Sequence, residues 1–314
     1  MYIIGIDIGG TNMRVGLFKD GNMIKKTSVF TRTEEGVVAI ITRLKQLIVN
    51  VLEQANIEMG QVKGIGVGCP GPLDPWKGEI QSPPNLPGWD HIPLKKILEE
   101  EYSLPVFLHN DANAAALGEY TFAYNRNVNN LVYITVSTGV GGGVVADGRL
   151  LLGVNGSAAE IGHMIINPNG NLCSCGNRGC LEAQASGTGI VSKTKALLQT
   201  TKEASVLKGK SKLTSKDVFV AAENGDALCK RIIEEVQFDL ALGLTNIVHA
   251  YNPEMVVYGG GVMQAGESFI KPVIEKAEKM ILPGMKGRLT FAATKLGGEL
   301  GLYGAAALVD YFQE

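Results

Sequence analysis

Four side chains able to hold a metal lie in one short stretch of this sequence: His163, Cys173, Cys175 and Cys180, within "GHMIINPNGNLCSCGNRGC". The spacing His-x9-Cys-x-Cys-x4-Cys offers one imidazole and three thiolates, the donor set of a tetrahedral structural zinc site. It is not the spacing of a nucleic-acid-binding zinc finger. The chain holds five cysteines, so most are crowded into a loop of glycine and asparagine with little apolar material to order it. A bound ion would supply that order. Free thiols in a mobile loop is the plainer reading of the same residues. Cys69 and Cys229 stand alone and read as small buried apolar residues.

A second chemistry is written in glycine. "DIGGTNMR" (Asp7–Arg14) lies between two strand-like runs. Gly9 and Gly10 expose backbone N–H groups in a turn suited to phosphate oxygens. Thr11 and Asn12 add neutral donors, Arg14 adds a charge, and Asp7 offers a carboxylate to a metal-bound water. The motif is neither GxxxxGK[ST] nor a GxGxxG that opens a helix. "STGVGGG", with Thr138 and Gly139, could clasp phosphate from a second domain, and "YGGGV", with Gly260 and Gly261, ends a strand. Nucleotides sit at such strand ends in α/β folds. The plainer reading is a set of glycine-rich hairpins. A third feature is "HNDANAAALGE", which puts Asn110 and Asp111 at a strand end that opens a helix. A carboxylate there can accept a proton from a substrate hydroxyl or simply cap the helix.

The elements that must position these groups follow from periodicity. Residues 2–8, 13–18 and 22–30 read as three strands. Residues 35–56 carry apolar spacings of three and four, an amphipathic helix. "VKGIGVGCPG" is a buried strand entering a loop, "PLKKILEEEY" a short helix with Pro93 in its first turn, "LPVFLHND" a strand and "ANAAALGEYTFAY" a helix. This half reads βββαβαβα. The pattern then restarts at "NLVYITVSTGVGGGVVADGRLLLG". An offset of 127 aligns Thr11 with Thr138, Gly16 with Gly143, Asp20 with Asp147 and Gly21 with Gly148, which reads as a duplicated domain. Residues 200–217 are polar and lysine-rich, a solvated excursion. "LCKRIIEEVQFDLALGLTNIVHAYN" is a long amphipathic helix, "PEMVVYGGGV" a strand, and "GLYGAAALVDYF" a closing apolar helix. The 40 glycines cluster where β-branched runs end or are interrupted. They mark positive φ or close backbone approach to a ligand, with ordinary tight turns as the alternative.

Composition narrows the classes. The 314 residues are 45% hydrophobic and 19% charged, with a net charge of -2. That suits a soluble chain with a large core and two domains. No basic stripe points to nucleic acid or to an anionic membrane. No apolar run reaches the roughly 18 residues of a membrane span. "MYIIGIDIGG" lacks a positive leader region and reads as a strand, so a cytoplasmic location is expected.

Together these motifs resemble known proteins. The DxGGTxxR turn, its repeat and the late GGG turn are similar to the actin/hexokinase/heat-shock-70 superfamily of ATPases. "EIGHMIINPNGNLCSCGNRGCLEAQASG" resembles the signature of the ROK family of repressors, open-reading-frame proteins and sugar kinases, and the likeness covers essentially the whole chain. The resemblance implies an α/β fold of two actin-like, ribonuclease H-like domains around a cleft. Residues 1–117 with 299–314 would form the smaller domain, and 118–298 the larger domain carrying the zinc loop. It implies ATP with Mg²⁺ at the glycine turns and a structural Zn²⁺ ordering a sugar-binding loop. Glu160, His163 and Glu182 would contact sugar hydroxyls, with Asn110, Asn85 and Gly71 in the same pocket. Asp111 would be the catalytic base. The implied activity is hexose phosphorylation, first of glucose. N-acetylmannosamine kinase and fructokinase are the near alternatives. A sugar-responsive regulator of the same family is a further one, disfavoured because the phosphate strand begins at Ile3. An actin-like or chaperone ATPase fits poorly with the zinc loop and the Asn110–Asp111 pair. The expected partners are a hexose and ATP, with a homodimer or homotetramer as the assembly, and neither nucleic acid nor membrane.

Overall fold

The computed structural model describes residues 1–313; Glu314, the last residue of the expected smaller domain, lies outside them. In chain order the first elements are β1 (Tyr2–Ile8), β2 (Asn12–Lys19), β3 (Asn22–Phe30), α1 (Val37–Ala55) and β4 (Val62–Cys69). A small hairpin, β5 (Leu73–Asp74) and β6 (Glu79–Ile80), precedes α2 (Leu94–Tyr102), β7 (Val106–Asn110) and α3 (Asp111–Gly118), which runs on through a π-helical turn at Glu119–Ala123. Next come β8 (Leu131–Val136), β9 (Val140–Ala146), β10 (Arg149–Leu150), α4 (Leu181–Ala185), α5 (Gly187–Thr200), α6 (Ser215–Glu223) and α7 (Ala227–Tyr251). The chain closes with β11 (Met255–Gly259), α8 (Glu267–Met280), α9 (Pro283–Lys286), β12 (Thr290–Ala293) and α10 (Leu300–Gln313).

Two five-stranded sheets share one topology: β3-β2-β1-β4-β7 and β10-β9-β8-β11-β12. β1, β2 and β3 are antiparallel neighbours, as are β9 and β10; β4 and β7 add in parallel to β1, and β11 and β12 in parallel to β8. The duplicated strand pattern is therefore also a duplicated strand order. The Asp-Gly hairpins match in detail. Asp20 and Gly21 have φ of 50° and 78°, and Asp147 and Gly148 have 50° and 74°. Two successive positive φ values are what a tight two-residue hairpin between twisted strands requires.

The chain forms two compact units, Met1–Asn129 with Gly143–Ala159 and Thr294–Glu314, and Asn130–Gly142 with Glu160–Ala293. Compared with the division expected from sequence, residues 118–129, 143–159 and 294–298 join the first unit. The chain passes between the units several times. Among the described residues, no helix is long and apolar enough to cross a membrane.

The core of the first unit explains glycines that the sequence reading assigned to ligand approach. Ile4, Ile6, Ile8, Val15 and Leu17 are buried with the α1 stripe Ile40, Leu44, Leu47 and Ile48 on one face of the sheet. The other face takes α10, through Leu302, Ala306 and Val309. The strand glycines lie on that side. A Cβ on Gly66 would stand 1.8 Å from the Ala305 carbonyl oxygen, and one on Gly5 would stand 2.6 Å from that of Leu302. Gly5 in β1, and the glycines that alternate with β-branched residues in β4, let a helix backbone lie directly on the sheet. α3 meets α10 in the same way, at Gly118 and Gly304. In the second unit, the long helix α7 carries the buried side chains Val236, Leu240, Leu244 and Ile247. Both isolated cysteines, Cys69 and Cys229, are fully buried.

Candidate active site

In the first unit, parallel strands bring Asp7 and Asp111 to the same end of the sheet. Asp7 on β1 pairs in register with Gly68 on β4, and Cys69 pairs with Asn110 on β7. Asp111 is the first residue of α3. The helix cap is Asn110, whose side-chain oxygen accepts the N–H groups of Ala112 at 2.9 Å and Asn113 at 3.3 Å. The capping alternative weighed for Asp111 thus falls to its neighbour, and Asp111 is exposed, one oxygen accepting Ala112 N–H at 2.8 Å. Burial pushes the Cys69 thiol pKa well up, and the negative charges of Asp111 and Asp7 add to it. Gly71 lies beside Asn110: a Cβ there would be 3.4 Å from the Asn110 amide nitrogen.

The turn after β1 forms an open cavity of about 520 Å³, lined by Asp7, Gly9, Gly10, Thr11, Asn12, Arg14 and Ser28. All six residues singled out from "DIGGTNMR" face it. Arg14 is committed within the turn: its Nε donates to Asp7 Oδ2 at 2.9 Å, and its Nη1 donates to the Gly298 carbonyl. Its first role is thus to hold the Asp7 carboxylate. Asn85 is exposed on a loop anchored by buried Leu86 and Trp89. Its carbonyl presses on Gly10, where a Cβ would come within 2.6 Å.

In the second unit, the turn between β8 and β9 borders a cavity of about 710 Å³. Its lining includes Thr138, Gly187, Thr188, Lys195, Thr214 and Gly261. Gly260, at φ 96°, lies so close to the Val136 carbonyl that a Cβ would be 2.3 Å from its oxygen, so only glycine fits. Thr188, Lys195 and Thr214 were missed from sequence. A signal was present in "SGTG", where Ser186 caps α5 by accepting Gly189 N–H at 3.0 Å, but the adjoining cysteine motif overshadowed it.

The metal-ligand set converges. The donor atoms of His163, Cys173, Cys175 and Cys180 all lie within 4.8 Å of one another. Cys175 Sγ and Cys180 Sγ are 3.6 Å apart, and Cys173 Sγ is 3.7 Å from His163 Nδ1. A tetrahedral ion with metal–sulfur bonds of about 2.3 Å would set its sulfur ligands roughly 3.8 Å apart, so the residues fit zinc. The imidazole turns Nδ1 to the cluster, which leaves Nε2 as its second polar atom. Backbone bonds shape the loop: Cys173 N–H to Asn177 O at 2.8 Å, Gly176 N–H to Cys173 O at 3.0 Å and Gly179 N–H to Asn171 O at 2.9 Å. Gly179, at φ 78°, leaves no room for a Cβ against the Asn167 carbonyl. A backbone hydrogen bond from Asn177 lowers the Cys175 thiol pKa, while burial raises that of Cys180. A buried thiol held neutral in this way ionises when a cation takes its proton's place.

Two carboxylates flank this cluster. Glu160 precedes the turn Ile161–His163. It is exposed, yet desolvation raises its pKa, with His163 opposing and the Glu182 charge adding to the rise. Glu182 lies in the first turn of α4, and its Oε2 accepts Val140 N–H at 3.0 Å.

The whole chain is similar to known proteins. A glucokinase of Halalkalibacterium halodurans is 37% identical over 98% of this chain and 94% of its own length. The crystal structure of a ROK hexokinase from Thermus thermophilus superposes with a TM-score of 0.86 at 35% identity, covering 98% of this chain and 97% of that one. A ROK glucokinase from Streptomyces griseus, solved with glucose and AMPPNP, gives a TM-score of 0.80 at 32% identity over 98% and 99% of the two chains. Residues 3–311 match the ROK family, and the chain belongs to that family.

Proposed function

We propose that this protein transfers the γ-phosphoryl group of ATP to the primary hydroxyl of a hexose, with glucose as the first substrate. The observation that carries the reading is the pair of carboxylates at the same end of the parallel strands, Asp7 near the end of β1 and Asp111 directly after β7. Phosphoryl transfer needs a base for the attacking hydroxyl and a negative group to orient the cation that travels with ATP. Asp111, exposed at the start of α3, is suited to take the hydroxyl proton. Asp7, held by Arg14, is suited to accept hydrogen bonds from water on Mg²⁺. Thr11, Asn12 and the N–H groups of Gly9 and Gly10 would hold phosphate oxygens. Thr138, Gly139, Gly260 and Gly261 would do the same from the second unit's turns. Similarity to glucokinases supports glucose and ATP as substrates.

On the same reading, Glu160, His163 and Glu182 bind the sugar, with Asn85, Asn110 and Gly71 completing the pocket. Zinc at His163, Cys173, Cys175 and Cys180 would fix a loop that has few apolar contacts of its own. His163 would bind the ion through Nδ1 and present Nε2 to a hydroxyl. The chain would act in the cytoplasm as a homodimer or homotetramer. The test is ADP release with Mg·ATP and, in turn, glucose, mannose, fructose, N-acetylglucosamine and N-acetylmannosamine. The expected result is the highest kcat/KM with glucose. ADP formation that no sugar stimulates would refute the reading.

A further inference from the structure

Glu182 lies two residues beyond the metal ligand Cys180, and its two oxygens face different structures. Oε2 accepts Val140 N–H at 3.0 Å, in the turn that carries Thr138 and Gly139. Oε1 accepts Ser174 Oγ–H at 3.4 Å and stands 3.8 Å from Cys173 Sγ, both in the metal loop. Gly139 is shaped to this carboxylate: a Cβ there would fall 2.4 Å from Oε2. The other side of the metal loop presses on the same turn. Gly162, next to the ligand His163, is so close that a Cβ would stand 2.0 Å from the Val140 carbonyl oxygen.

The chain after Glu182 continues the grip. Gly187 N–H donates to Ser137 O at 2.7 Å, and Thr188 Oγ1 donates to Thr138 O at 2.8 Å. Leu181, between Cys180 and Glu182, is seated against Gly243 of α7, where a Cβ would meet its side chain at 2.6 Å. The segment from Cys180 to Thr188 is thus anchored on one side by the long helix and on the other by the turn. A carboxylate accepting a backbone N–H is a strong, directional contact. With Val140 N–H so occupied, Thr138, which lines the cavity beside the turn, is among the groups left to meet a phosphate.

We infer that Glu182 is a positioning residue for the nucleotide turn, and that metal at the Cys/His cluster sets the aim of Thr138 through it. This goes beyond the sugar contact proposed for Glu182, and it rests on reading Ser137–Gly143 as a nucleotide turn. The metal loop and the ATP turn are then one unit: ordering the first orders the second, with no sugar present.

The test measures binding of a non-hydrolysable ATP analogue with Mg²⁺ by calorimetry, without sugar, on metal-loaded protein. Glu182→Ala should weaken binding at least about fivefold, because Val140 N–H loses its acceptor. Glu182→Gln keeps an acceptor and should stay within about twofold of wild type. Gly139→Ala, whose methyl displaces Oε2, should reproduce the loss. Stripping the metal should weaken wild type by a similar factor and Glu182→Ala no further. Thermal unfolding of each variant confirms that it is folded. Wild-type affinity in folded Glu182→Ala, or equal weakening of both proteins on metal removal, overturns the inference. A wild type that binds no nucleotide overturns the nucleotide reading, and this inference with it.

Discussion

The turn between β1 and β2 and the turn between β8 and β9 occupy the same place in the same strand order, yet they are held differently. The first is braced by charge. Arg14 binds Asp7 through Nε at 2.9 Å and also reaches the Gly298 carbonyl. At the offset that aligns Thr11 with Thr138, Asp7 and Arg14 correspond to Ile134 and Gly141. The second turn carries neither charge and is held from outside, by Glu182 and the start of α5. Duplication has kept what is local to the backbone, the Asp-Gly hairpin and the threonine. The charged chemistry of the first copy is replaced in the second by contacts from distant chain.

That contrast orders the expected effects. Asp111→Asn, which removes the proposed base on the charged side, should lower kcat at least about 10²-fold while sugar affinity by calorimetry holds. Near-wild-type turnover in a folded variant would exclude it as the base. Asp7→Asn should lower kcat by roughly 30-fold, since Arg14 loses its partner and the cation its orienting charge; steady-state kinetics at saturating ATP reads this. Metal removal, or Cys175→Ala, should raise sugar KM about tenfold, because the loss of a structural ion here disorders a loop and leaves the core standing. Elemental analysis showing no zinc in protein purified without chelator would count against it, as would unchanged sugar KM after stripping. Thr138→Ala should be mildest: loss of one neutral hydrogen bond would raise ATP KM roughly threefold with kcat little changed. If Thr138→Ala costs as much as Asp7→Asn, the two turns do not differ as described.

Much of this was legible in the sequence where the chemistry is local. The hairpins, the long helices, the repeat of the strand pattern and the convergence of His163 with three cysteines all depend on residues close in the chain. What escaped depends on contacts between distant segments. Nothing near Gly5, Gly64 or Gly66 shows that α10, more than two hundred residues on, will lie against them; their spacing looked like ligand glycine. Arg14 looked available to phosphate because the Gly298 carbonyl is equally remote. The bond from Val140 to Glu182, 42 residues on, was not readable either. The repeated passage of the chain between the two units is likewise a matter of distant contacts. The Asn110–Asp111 pair is instructive: its place at a strand end was plain, but which of the two caps α3 depended on side-chain geometry.

The most direct measurement follows the phosphorus. Wild-type protein with Mg·ATP and glucose, monitored by phosphorus NMR, should give a sugar phosphate ester on the primary hydroxyl in step with ADP. Inorganic phosphate appearing in place of the ester, or ATP left unchanged, would contradict the account.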